Sequence, residues 1–233
     1  MLLTMKPTQF NKRWHSPNNV FMHLDRLTQV IGGDMLEKSP KHKRAREARI
    51  AAVMAYVLTR IRNLPTVIRL PLNDPPDVYL MQPNRGTMDI TTVELTSYRN
   101  LSQESLLDQL IRNKIGLGYK KYSGEYILLV ELFTEENVDY EAINKYAVEN
   151  KINFPIWSLR KVQQSPDTIA EVVVMNPKVS KFWVNVGEEA FYFKERYNIP
   201  HVVFSKQVFK PEDIRSKNLD EECNIAPWEE LED

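Results

Sequence analysis

Apolar residues recur along this chain first at helical and then at strand spacing. In FMHLDRLTQVI (21–31), Phe21, Leu24, Leu27 and Ile31 follow the helical period, and Gly32-Gly33 ends the helix. Residues 1–20, with Pro7, Pro17 and several Asn, read as an irregular arm. A longer helix is predicted over about 41–62. Ile50, Val53, Met54, Val57, Leu58 and Ile61 share one stripe, with Arg46, Arg49, Arg60 and Glu47 on the polar side. Strand signals follow in TVIRL (66–70), DVYLMQ (77–82) and MDITTVELTS (88–97). Asp74-Pro75-Pro76 and Asn84-Arg85-Gly86 are the turns between them. Residues 103–121 return to helical spacing through Leu106, Leu107, Leu110, Ile111 and Ile115. EYILLVEL (125–132) is a near-continuous apolar strand of the kind buried on both faces. A short helix at 138–149 and strands FPIWSL (154–159) and TIAEVVVM (168–175) come next. GEEAFYFKERY suggests a helix and HVVFS a short strand. The order α-β-β-β-α-β-α-β-β predicts an α/β fold, a mixed sheet with helices on its faces.

Composition narrows the class. With 233 residues and 42% hydrophobic content, the chain can bury a substantial core in one or two domains. The single cysteine, Cys223, allows no intrachain disulfide and no Cys-based zinc site. No apolar run approaches the ~20 residues that span a bilayer, and MLLTMKPTQFNKRW has no signal-peptide core. The expected location is therefore cytoplasmic, with no membrane association. Net charge is zero but segregated: residues 1–121 hold 19 Lys+Arg against 10 Asp+Glu, and residues 122–233 hold 12 against 21. That polarity fits a basic surface facing a polyanion, or solvated faces that happen to separate. The last 14 residues contain seven acids and read as a loose tail. His15, His23, His42 and His201 lie far apart, without metal-ligand spacing.

Candidate chemistry sits in the middle hairpin. A turn centred between Arg85 and Gly86 would set Asp77 opposite Glu94. Opposed residues of an antiparallel pair lie about 4.5–5.5 Å apart on one face. Two carboxylates there repel unless a cation joins them. Mg²⁺, with oxygen ligands at about 2.0–2.1 Å, is suited to that task. Asp77 also has a plainer reading, as a turn residue capping its own backbone. For Glu94, between Val93 and Leu95, the plainer reading is an ion pair with a helix lysine.

Pro76-Asp77, followed 17 positions on by Val93-Glu94-Leu95-Thr96, resembles the signature of the PD-(D/E)XK nuclease superfamily over roughly residues 45–135. The resemblance extends to the α-β-β-β-α-β order. It implies a restriction-endonuclease-like core at 41–160, preceded by an arm and helix (1–40). A C-terminal α+β elaboration (161–218) and the acidic tail (219–233) would follow. The family's strand lysine is replaced here by Thr96, as in branches where the lysine comes from the next helix. Lys114 is the preferred substitute and Lys121 its rival.

What the resemblance implies is phosphodiester hydrolysis with Mg²⁺ or Mn²⁺. Asp77, Glu94, the Leu95 carbonyl and, as an auxiliary, Glu47 would hold the metal. Lys114 would stabilise the attacking hydroxide or the developing charge. Glu47 and Lys114 have ordinary readings as a helix-surface acid and a surface lysine. Lys41, Lys43, Arg44 and Arg46, with Lys120 and Lys121, are candidate phosphate contacts, although the basic stretch 38–49 equally suits a solvated helix start. Tyr119, Tyr122 and Tyr126 are candidates for base stacking or for core packing. The expected partner is nucleic acid, DNA ahead of RNA, with a homodimer also in view. The alternative is a nuclease fold without catalysis, binding nucleic acid or a protein partner in a defence, mobile-element or phage assembly. A pure protein-interaction domain, using the acidic end as its contact, is a third reading.

Overall fold

A computed structural model describes residues 13–71, 76–84, 87–99, 104–115, 126–133, 138–163, 168–197 and 202–204. The predicted Arg85-Gly86 turn, Asp74-Pro75, Tyr119, Lys120, Lys121, Tyr122, His201, Cys223 and the acidic tail lie outside the described residues. The fold is mixed α/β, with parallel and antiparallel strand pairs and helices. From residue 43 to 132 the chain order is helix, three strands, helix, strand. The chain divides into two compact units, one of 1–90 with 186–233 and one of 91–185.

In the first unit, β1 (Arg13–His15) and α1 (Pro17–Ile31) replace part of the expected arm. The helix starts early because Ser16 Oγ accepts from the Asn19 N–H at 3.1 Å and Pro17 occupies the first turn, where its missing N–H costs nothing. It ends where predicted. Gly32 has φ +82°, a conformation L side chains resist, and its N–H donates to the Thr28 carbonyl at 2.8 Å. After α2 (Gly33–Lys38) and a 3₁₀ turn (Pro40–His42), α3 runs from Lys43 to Arg62. α3 is not the one-stripe helix the spacing predicts. Residues 50–59 are buried on every side, and Ile61, assigned to the apolar stripe, is exposed. Ala48, Ala51, Ala52 and Ala55 let α1, α6 (Val186–Arg196), β2 (Val67–Arg69) and β3 (Val78–Asn84) approach it closely. Tyr56 stacks on Phe21 and meets Phe193 edge-on. Its hydroxyl donates to Asn18 Oδ1 at 2.9 Å, and Asn18 Nδ2 donates to the Ala190 carbonyl. β9 (Val202–Phe204), β1, β2 and β3 are antiparallel neighbours in that order.

The second unit holds most of β4 (Thr87–Tyr98), followed by α4 (Leu106–Leu110) and β5 (Tyr126–Leu132). α5 (Tyr140–Glu149), β6 (Ile156–Gln163), β7 (Ile169–Asn176) and β8 (Ser180–Asn185) complete it. β4, β5 and β6 are parallel, whereas β6, β7 and β8 are antiparallel. Within the predicted 103–121 helix, α4 passes at Ile111 into a π-helical turn, Ile111–Ile115, and residues 116–121 lie outside the described residues. β8 was not expected. The core gathers Tyr98, Leu106, Leu110, Ile115, Leu128, Val130, Leu132, Ile143 and Val173, with α4 and α5 against one face of the strands.

Candidate active site

Parallel strands cannot be joined by a tight turn, so the chain from β4 to β5 must cross over. The crossover carries Lys114 back along the strand that bears Glu94. In register, Glu94 lies opposite Leu128, Thr96 opposite Val130 and Tyr98 opposite Leu132. Tyr98, Leu128, Val130 and Leu132 belong to the core beneath α4 and α5, so alternation sends the Glu94 side chain to the helix-covered face. Glu94 is buried there, and an ionised carboxylate on an apolar face requires a partner.

Lys114 is that partner. Its Nζ donates to Glu94 Oε1 at 2.7 Å, with 26% of the lysine side chain and 12% of the glutamate side chain exposed. The lengths match. Glu94 to Tyr98 climbs about 13 Å along the strand, and Leu106 to Lys114 descends about 12 Å along the helix. The top of the crossover is pinned by Tyr98 Oη donating to the Glu104 carbonyl at 2.7 Å and Gln109 Nε2 to the Ser97 carbonyl at 3.3 Å. Ser105 caps α4, accepting from the Asp108 N–H at 3.1 Å. The π turn widens the last coil, so Ile115, five residues past Leu110, returns to the buried face with Lys114 beside it.

In the first unit, Asp77 is buried immediately before β3 rather than inside it. The register that would oppose it to Glu94 runs through Arg85 and Gly86, outside the described residues. Glu47 is a buried acid of α3 rather than a surface one. Its Oε1 receives Lys43 Nζ at 3.1 Å and its Oε2 receives Arg44 Nη1 at 3.0 Å. The ion-pair reading describes its contacts. Arg46 donates to the carbonyls of Leu36 at 2.9 Å and Ser39 at 2.8 Å, closing the end of α2. Arg49 is bound to Glu37. Of the candidate phosphate contacts, Lys41 is exposed, Lys43 is largely exposed, and Arg44 and Arg46 are committed to internal partners. Leu95 sits in the parallel ladder opposite Leu129, and Tyr126 packs in the core against Phe154.

One buried acid, unlike Glu47, Asp77 and Glu94, escaped the sequence reading. Glu171 of β7 is 1% exposed. It accepts from Arg160 Nη2 at 3.2 Å, Lys181 Nζ at 2.5 Å and Tyr140 Oη at 3.2 Å. Burial pushes its pKa up, but Lys181, Arg160 and Tyr140 outweigh that and hold it below the ordinary glutamate range. The signal was available: Glu171 interrupts the apolar run of IAEVVVM.

No family model, curated protein or solved structure matches this chain. The chemistry of Glu94 is compatible with a divalent cation. Oε1 serves Lys114, while Oε2 has no hydrogen-bond partner among the described residues. One or two carboxylates with retained waters are the usual protein share of a Mg²⁺ site. Among the described residues, no three His, Cys, Asp or Glu side chains gather as a metal-holding group. Also among them, no helix is long and apolar enough to cross a membrane.

Proposed function

We propose that the protein is a metal-dependent nuclease of the PD-(D/E)XK type, hydrolysing phosphodiester bonds of DNA or RNA. The observation that supports this reading is the 2.7 Å contact between Lys114 and Glu94. The helix lysine expected to replace the missing strand lysine reaches the strand acid. In this reading Glu94 offers Oε2 to Mg²⁺ or Mn²⁺, and Asp77 is the second carboxylate on the strength of its sequence pattern. The metal, when bound, lowers the pKa of its water and neutralises phosphate charge. Lys114, held in a half-buried setting, orients its ammonium toward the nucleophile or the developing oxyanion. The helix-covered face restricts water around that charge, which strengthens its effect. The test is cleavage of labelled DNA and RNA with Mg²⁺, Mn²⁺ or EDTA. Activity should need the metal and disappear in Asp77→Ala and Glu94→Ala variants that still fold. Variants that cut like the wild type would overturn the assignment.

The same contact also favours a second reading. Lys114 already neutralises Glu94, so the buried carboxylate is tolerated without metal. A nuclease-type fold without turnover, binding nucleic acid or a protein of a defence, mobile-element or phage assembly, would then show no cleavage and no divalent-ion binding.

A further inference from the structure

We propose that Arg69, bracketed by Trp14 and Tyr79, binds a phosphate of the nucleic-acid backbone. The inference rests on the proposed function for the identity of the anion, and it concerns binding rather than chemistry.

Three neighbouring strands of the first unit bring these side chains together. Arg69 of β2 lies opposite Tyr79 of β3. His15 of β1 lies opposite Ile68, so Trp14, one residue earlier on an antiparallel strand, falls beside Arg69. Opposed residues share one face of a sheet. The distances agree: Arg69 Cζ is 5.0 Å from the Trp14 ring centroid and 4.9 Å from that of Tyr79. A ring face attracts the cation, but it offers no lone pair to the five N–H donors of a guanidinium.

An acceptor for those donors is what the fold withholds. Among the described residues, no carboxylate or carbonyl meets Arg69, and its Nε is sealed from solvent without a partner. Nε is the only one of its three nitrogens so sealed, and the half-buried side chain keeps its two Nη groups within reach of solvent. Other arginines of this unit are answered from within. Glu47 accepts from Arg44, Glu37 from Arg49 and Glu189 from Arg60. Arg62 donates to the Gln82 amide oxygen and Arg46 to two carbonyls. A guanidinium without an anion keeps its strongest interaction in reserve, and its fork matches two oxygens of a phosphate or a carboxylate. Two rings already hold that fork in place, so little freedom is lost when an anion arrives.

Position points to phosphate. Arg69 stands at the end of β2 that faces the start of β3, and Asp77 immediately precedes β3. An acidic side chain from a partner would bring a second carboxylate toward Asp77, and like charges so placed repel. A backbone phosphate is the anion that the proposed function brings to this end of the sheet.

The experiment is fluorescence anisotropy of a short labelled DNA duplex and of an RNA duplex of the same sequence. EDTA is present so that no cleavage intervenes. Arg69→Gln should weaken binding about 10- to 100-fold, the worth of hydrogen bonding to a charged group. It should also lower the slope of log affinity against log salt by about one. Arg69→Lys keeps the charge and loses the fork, so affinity should fall while the slope stays. Tyr79→Leu, which removes one bracket, should weaken binding about 2- to 5-fold. Circular dichroism verifies that each variant folds; should Arg69→Gln not fold, affinity and slope of Arg69→Lys carry the test. Wild-type affinity and slope in the Arg69 variants, or no binding of either duplex, overturns the proposal and leaves a carboxylate as the anion for this fork. The two proposals fail separately. Metal-dependent cleavage lost in Glu94→Ala, with binding indifferent to Arg69, removes only the phosphate contact. Binding that depends on Arg69, without cleavage by the wild type, removes only the nuclease.

Discussion

Replacing Lys114 with Met keeps the length and apolar stem of the side chain and removes its charge. Glu94 is then left nearly buried without its donor. Removing one partner of a fully buried ion pair costs about 3–5 kcal/mol, and losing a hydrogen bond to a charged group costs about 1.5–3 kcal/mol. The lysine side chain is a quarter exposed, so water can reach the orphaned carboxylate and the lower bracket applies. The expected loss is about 2 kcal/mol. For a chain of this length that corresponds to a Tm lower by about 4–8 °C. Glu94→Gln combined with Lys114→Met should recover about 1–2 kcal/mol relative to the sum of the single changes, because no buried charge then remains. Thermal scans of the four proteins in EDTA measure this cycle. Mn²⁺ should raise the Tm of Lys114→Met more than that of the wild type, since it supplies the missing positive charge. Additivity within about 0.5 kcal/mol would show that the contact is not formed in solution and refute the reasoning.

Three further predictions concern buried residues elsewhere in the fold. Glu171 has its folded-state pKa held below the ordinary value, so its contribution is present above about pH 4.3 and is lost as pH falls through the lower folded value. Glu171→Gln should cost stability at neutral pH and flatten that acid limb in pH-dependent Tm measurements. His23 is held neutral, its pKa lowered to about 3 by burial and then by His15 and Arg26. The unfolded chain takes up that proton near pH 6.5, so stability should decline as pH falls from about 6.5 to 3, and His23→Gln should decline less. Ala52, fully buried in α3, should not accept a larger side chain: Ala52→Leu is expected to cost about 1–3 kcal/mol by urea denaturation.

Much of the local structure was legible because local patterns decide it. The Gly32 stop of α1, the apolar run of β5 and the α-β-β-β-α-β order all follow from period, breakers and residue type. Glu94 was singled out by the hairpin register and by its place between Val93 and Leu95. Lys114 was reachable by counting, because a crossover helix returning along its strand brings a fixed residue level with the acid. What escaped depends on distant partners or unusual winding. α3 was read as a one-sided helix because its alanines carry little weight in an apolar stripe, yet they are what allow packing on every side. The π turn has no residue signature of its own. β8 (SKFWVN) sets Phe182 beside Trp183, so its residue types do not alternate, although the fold covers Phe182 and Val184 and leaves Lys181 and Trp183 open. Glu171 was missed because the apolar run around it was read only as a strand, although its charge demanded the same question that Glu94 had raised.

The central claim is that Glu94 is a metal ligand and more than the counter-charge of a lysine. Calorimetric titration of Mn²⁺ into the wild type and into Glu94→Ala, at one pH and ionic strength, tests it most directly. The account predicts a binding isotherm for the wild type that Glu94→Ala abolishes. A wild type that takes up no Mn²⁺, or a variant that binds it equally well, would contradict the account and leave Lys114 as the only cation Glu94 serves.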